Sequence, residues 1–249
     1  MSGTRRSTRA KQKRATDPPR VPRSLPVAVR RVYSLTRREA TAAIEIYRER
    51  FSEEQRIAEA SLVGTIDETR NSTLNAFFLA ERDDRVVGFA FMLFFPSFRM
   101  AHLMYLGVSS TCGHVGVGRK LFDVVVDSCA GQKHPPHWLT VEVLRPEAIA
   151  DAEARTCRER GVEFLEKVGC VKVLADFQAP PIGPYQSVVP LWILARPVAD
   201  ADVDERLVGD MLRVIYRQVY GVGEDHPLVR HCMASIAEKG AGGRSARPA

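Results

Sequence analysis

Two rhythms of apolar and polar residues run along this chain, and they alternate in an ordered way. Val27–Tyr33 alternates apolar with basic positions and predicts a strand. Thr36–Phe51 and Glu53–Val63 carry helical spacing, separated at Ser52, a residue type suited to an N-cap. Asn75–Ala80 and Val86–Phe95 predict two strands, and the polar join Arg82-Asp83-Asp84-Arg85 predicts a hairpin between them. His102–Val108 predicts a third consecutive strand after the loop at Pro96. The period then lengthens: Val117, Leu121, Val124 and Ser128 fall on one helical face, Val125 and Cys129 lie beside them, and Gly131 ends the helix. Trp138–Leu144 is a β-branched strand, Pro146–Val168 a helix weakened at Gly161 and closed by Gly169, and Val171–Phe177 and Val188–Ala195 are the last strands. Asp202–Tyr220 and Leu228–Glu238 predict two further helices.

The resulting order, β-α-α-β-β-β-α-β-α-β-β, predicts an α/β (α+β) fold: a mixed, largely antiparallel twisted sheet of six to seven strands with helices on both faces. Four regions follow from it: a disordered basic tail at 1–24, a domain at 25–197, a helical extension at 198–239 and a loose tail at 240–249.

Composition sharpens this picture in two places. The formal net charge is +6 over 249 residues. Residues 1–24 hold eight Arg and Lys against Asp17 alone, a surplus of +7, so the rest of the chain is close to neutral. The basicity belongs to the tail, which suits contact with nucleic acid or an acidic surface. The five cysteines are odd in number, widely spaced and free of any C-x-x-C pair, which points to a reducing, cytoplasmic setting and away from disulfides or zinc. No secretory signal and no run long enough to span a membrane is legible. A homodimer stays open as an assembly.

The chemistry begins in the stretch from His102 to Cys129. Here a strand, a glycine-bearing turn and a helix follow one another. In Gly113-His114-Val115-Gly116-Val117-Gly118-Arg119, the glycines let backbone approach a ligand, and the helix start offers N–H groups without internal partners. Together they form a cradle for a pyrophosphate. Arg119 in the first turn adds positive charge. A P-loop is excluded, since no G-x-x-x-x-G-K-[ST] occurs.

That stretch resembles motif A of the GNAT N-acetyltransferase superfamily, [RQ]-x-x-G-x-[GA] after a hydrophobic strand. Gly113-x-x-Gly116-x-Gly118 occupies the frame, and Val108-Ser109-Ser110-Thr111 resembles the strand-to-turn passage of the histone-type members. The usual Arg or Gln is replaced by Gly113. Glu163-Phe164-Leu165-Glu166-Lys167-Val168-Gly169-Cys170 resembles the family's motif B, with Leu165 at the family's Tyr position and Arg158 at its Asn. The resemblance spans about residues 27–195 and implies a GNAT-type sheet. It implies acetyl-CoA as co-substrate, no metal, and a primary amine as acceptor, either a small molecule or a protein lysine. It also implies that the diphosphate sits on Gly113, His114, Val115, Gly116, Val117, Gly118 and Arg119, with Arg158 and the backbone of Leu106, Gly107 and Val108 also facing the cofactor.

An alkylamine with pKa near ~10.4 is almost wholly protonated at neutral pH, so the reaction needs a base. His102 stands where the histone-type members carry their glutamate. Glu142 interrupts the apolar strand Trp138–Leu144, where burial raises a carboxylate's pKa unless a cation such as Arg145, Arg155 or Arg158 pairs with it. Glu81 is a weaker third choice. Leu165 cannot act as the general acid, which leaves Tyr185 or Tyr105. Tyr216 and Tyr220 are four apart on a helix and read as packing residues, and His134-Pro-Pro-His137 as a loop. A second reading keeps the fold without turnover, as an acyl-CoA-sensing or nucleic-acid-associated module.

Overall fold

The computed structural model describes residues 26–68, 74–112, 116–182, 187–198 and 205–243. Expectations for the basic tail, Gly113, His114, Val115 and Tyr185 lie outside the described residues.

Seven strands form one sheet: β1 (Ala28–Val32), β2 (Asn75–Arg82), β3 (Arg85–Phe95), β4 (Met100–Val108), β5 (Trp138–Leu144), β6 (Val171–Ala179) and β7 (Val189–Pro197). Their spatial order is β1-β2-β3-β4-β5-β7-β6. Only the β4–β5 pair is parallel. The predicted hairpin turns at Asp83 and Asp84, both at positive φ (51° and 57°), as a type I′ connection requires. Aspartate tolerates that region better than most residues.

Helix α1 (Arg37–Arg50) opens on a reciprocal capping box between Thr36 and Glu39. The predicted helix over 53–63 is corrected: Glu53–Gln55 makes one 3-10 turn, and α2 spans Glu59–Glu68. Tertiary bonds account for the break. The Ile57 amide donates to Tyr105 Oη (3.4 Å), and the Ile57 carbonyl accepts from Tyr47 Oη (3.2 Å), so this segment's polar groups serve the core instead of a helix. α3 runs Val117–Ala130, and its buried stripe is Val117, Leu121, Phe122, Val125 and Cys129; Val124 and Ser128 are only half-buried. α4 (Ala152–Lys167) starts at Asp151, whose carboxylate accepts from the Ala154 amide at 2.7 Å. Its end is a Schellman motif, with Gly169 at φ +89° and the Cys170 amide donating to Leu165 O. α5 (Glu205–Val214) passes into a π-helical segment, Ile215–Val219, and α6 spans Pro227–Gly243.

Strand alternation sorts the core into faces. Phe78, Ala90, Leu103, Leu139 and Val141 pack with α3 and α4 on one face. On the other, Phe77, Leu79, Phe89 and Tyr105 pack under α1 and α2. Trp138, Leu191 and Ile193 join the same side under α5 and α6, so the C-terminal helices share a core with the sheet. A trough between these two helix groups lies over β4 and β5.

Candidate active site

β4 and β5 begin as neighbours and then part. Their parallel pairing runs from Met100↔Trp138 to Leu103↔Val141 and stops, although β4 continues to Val108 and β5 to Leu144. The register of β4 against β3 slips at the same place, where Met104 is the extra residue of a bulge. The outcome is a wedge-shaped gap in the middle of the sheet.

The β3 pairing fixes which amides face that gap. The Ser109 N–H donates to Val87 O at 3.0 Å. Antiparallel alternation then turns the polar groups of Gly107 to β3 and those of Leu106 and Val108 into the gap. Of the three backbone positions expected to face the cofactor, Gly107 is therefore corrected, since β3 uses its amide. Arg50 Nε already donates to the Val108 carbonyl (2.6 Å).

The start of α3 closes the far end of the gap. Gly116 is its N-cap, at φ 74° and ψ 10°, and contributes no side chain to the first turn. A Cβ on Gly116 would meet nothing within 4 Å, so open space lies beside it. A Cβ on Gly118 would lie 3.7 Å from both Phe164 and Val108, which places this glycine between α4 and the end of β4. The first amides of α3 precede the bond from Lys120 N to Gly116 O and keep the anion-binding character of a helix start. These features fit the diphosphate and pantetheine arm of a coenzyme thioester. Arg119 is instead ion-paired with Asp123 at 2.9 Å on the exposed side of the helix.

A cavity of about 270 Å³ adjoins the gap, lined among others by His102, Tyr105, Glu142, Arg158 and Tyr220. Glu142 is the central group. Its side chain is 16% exposed, and Oε2 accepts from Tyr220 Oη at 2.5 Å. Oε1 is buried and has no hydrogen-bond partner among the described residues. Burial raises the Glu142 pKa to about 7, against the opposing pull of the Tyr220 hydrogen bond. None of the arginines considered from the sequence pairs with it: Arg145 contacts Asp176, Arg155 donates to Ile149 O, and Arg158 reaches Gln55 Oε1 at 3.4 Å. Arg158's own pKa is lowered by burial and by the nearby Arg50.

His102 is 1% exposed, and its Nδ1 lies 2.9 Å from Thr140 Oγ1. That hydroxyl donates to Ala101 O (3.1 Å), so Nδ1 must carry the proton and Nε2 is a bare acceptor. Burial lowers the His102 pKa to about 4, which keeps the ring neutral near pH 7. Nε2 stands 3.8 Å from Glu142 Oε1. Tyr105 Oη donates to Gln55 O at 3.0 Å and ties β4 to the 53–58 segment. Glu81 lies away from this cavity, paired with Arg30 at 3.1 Å. Leu165 is buried in the core.

Tyr220 is the residue sequence reading missed. In a continuous α-helix it would share the packing face of Tyr216. Its ring does pack beside Tyr216 against Phe177, at centroid distances of 6.3 and 6.1 Å, at the end of a π-helical segment, and its phenol also reaches a strand 78 residues earlier in the chain. Burial and the neighbouring Glu142 carboxylate hold the Tyr220 pKa well above the usual phenol value, so it is a permanent donor.

Residues 32–155, about half of the chain, match the sequence model of the acetyltransferase (GNAT) family. No curated protein sequence matches the chain. A GNAT-family structure from Desulfovibrio desulfuricans aligns over 70% of this chain and 100% of its own, at 22% identity and a TM-score of 0.50. One from Bacteroides thetaiotaomicron aligns over 72% and 90%, at 18% identity and 0.54. The yncA acetyltransferase structure of Salmonella typhimurium, with its cofactor acetyl-CoA, aligns over 72% and 98%, at 12% identity and 0.51. These likenesses show the fold.

Proposed function

Because the chain belongs to the acetyltransferase (GNAT) family, its chemistry is acetyl transfer, and we propose that it moves the acetyl group of acetyl-CoA onto a primary amine by direct attack in a ternary complex. Glu142 is the general base in this reading.

The observation that carries it is the pair of acceptors at the gap, Glu142 Oε1 and His102 Nε2, 3.8 Å apart and facing one another. Two bare acceptors in a buried place call for a shared donor, and an ammonium group supplies several N–H bonds. A carboxylate with pKa about 7 is matched to taking one of those protons at neutral pH. The neutral amine then attacks the thioester carbon, the C–S bond breaks, and the nitrogen releases its surplus proton to water as the amide forms. In this reading the Leu106 and Val108 amides support negative charge developing on the thioester oxygen, a contribution of about 3 kcal/mol for one well-aligned donor. The thiolate, with an ordinary pKa of ~8.5, leaves with a proton drawn from water or from Tyr185. Tyr220 fixes the rotamer of Glu142 and leaves Oε1 free for the amine.

Acetyl-CoA titrated calorimetrically into the protein tests the first half, and a product-mass screen over small primary amines and lysine peptides tests the second. Saturable binding with steady thiol release and a mass gain of one acetyl group on an amine is the expected result. Absence of binding at millimolar acetyl-CoA overturns the reading.

A further inference from the structure

A cleft of about 770 Å³ lies at the opposite end of the trough from Glu142. It shares no lining residue with the catalytic cavity. Met100 and Trp138, at the first positions of β4 and β5, form its floor, and Trp138 precedes Glu142 by four residues, roughly 13 Å along a strand. The 97–99 turn stands on one side, and the π-helical segment with the 221–224 turn on the other. Its size falls in the range of small-molecule sites.

Three features give the cleft a chemical preference. Trp138 is 3% exposed, and its indole Nε1 is buried with no acceptor among the described residues. That group can only donate, so it calls for an oxygen from a ligand. The charges of the lining do not cancel. Arg99, Arg213 and Arg217 stand against Asp210 and Glu224, a surplus of one positive charge. Arg213 contacts both carboxylates, at 3.0 and 3.5 Å, and Arg99 donates to the Pro135 carbonyl. Arg217 is exposed and has no partner among the described residues. Finally, the rim is strained where a charge is presented: Arg99 sits at φ +47°, held there by the bond from His137 N to Arg99 O at 2.7 Å. Left-handed backbone at a non-glycine residue is common at ligand clamps. Between the charged groups the walls are apolar, including Phe98, Met211, Val214 and Val229.

We propose that this cleft is a second ligand site, separate from the acetyl-transfer centre, for a small monocarboxylate with an apolar body. The carboxylate meets Arg217 and the Trp138 N–H, and the body fills the space over Met100 and Val229.

The chain has two tryptophans, so Trp192→Phe leaves Trp138 as the only indole reporter. In that background the full-length protein is titrated with phenylacetate, and separately with phenylacetamide, while indole emission is followed. The expected result is a saturable change with phenylacetate and at least roughly tenfold weaker binding of the amide. Arg217→Gln removes the preference for the acid. Gly223→Leu adds bulk to the cleft wall and weakens both titrations, and a Cβ there meets nothing within 4 Å, so the fold accommodates it. Absence of a saturable change at millimolar phenylacetate overturns the proposal, as does equal affinity for acid and amide or binding left unchanged by both Arg217→Gln and Gly223→Leu. None of these outcomes bears on acetyl transfer, because none of these residues lines the Glu142 cavity.

Discussion

Replacing Glu142 with glutamine is expected to stabilise the protein while removing its activity. The pKa of Glu142 rises from 4.5 to about 7 on folding, chiefly through burial. A carboxyl that holds its proton more tightly in the folded state favours folding at low pH, and that contribution is lost as pH climbs from 4.5 through 7. At 1.36 kcal/mol per pKa unit, ionising Glu142 costs the fold about 3 kcal/mol above pH 7. Glutamine is neutral, keeps an oxygen for Tyr220, and fits the same space. For a chain of this size each kcal/mol moves Tm by roughly 2–4 °C, so Glu142→Gln should gain roughly 6–12 °C at pH 8 and almost nothing at pH 4.5. The comparison must be made between variant and parent. His102, with its pKa lowered from 6.5 to about 4, gives the parent an opposite slope, destabilising it as pH falls below 6.5. Scanning calorimetry of both proteins across that pH range reads the difference. A gain of equal size at every pH, or no gain at pH 8, would refute the burial of an ionising Glu142.

Tyr220→Phe removes a hydrogen bond to a carboxylate worth ~1.5–3 kcal/mol, so the Glu142 midpoint should climb about 1–2 units above 7, read by carbon-13 NMR of the carboxyl. Gly116→Glu should abolish acetyl-CoA binding by calorimetry while costing the fold only about 1–2 kcal/mol, because the residue sits at φ +74° in open space. Gly118→Ala, whose new Cβ meets only ordinary contacts at 3.7 Å, should bind acetyl-CoA as before and raise stability by up to about 1 kcal/mol through helix propensity. Deleting residues 205–249 should yield aggregated protein on size exclusion, because Trp138, Phe177 and Ile193 lose their cover.

Elements whose pattern was set by burial on a sheet face or a helix stripe were legible in the sequence. The strand Trp138–Leu144 has the same ends in both readings, and the Asp83-Asp84 turn announced its hairpin. The segment after Ser52 was not, because its helical spacing is overridden by hydrogen bonds joining Ile57 to Tyr47 and Tyr105, 10 and 48 residues away. In the site, Glu142 was legible because a carboxylate inside an apolar strand is costly without a purpose. Tyr220 was hidden by its own regularity. Its spacing from Tyr216 reads as one packing face, which both rings do share against Phe177, and nothing local signals that the hydroxyl also meets Glu142 on a distant strand. The tautomer of His102, set by a threonine 38 residues away on the next strand, lies equally beyond sequence pattern.

The pH dependence of kcat/KM for thiol release, measured on the parent and on Glu142→Gln with an amine identified by the mass screen, puts the base assignment to its hardest test. The parent should show a rate that climbs tenfold per pH unit and levels off near pH 7, and the variant should lose that limb together with about 100-fold or more of the rate at pH 7.5. A variant that keeps both the limb and the rate would place the proton on another group.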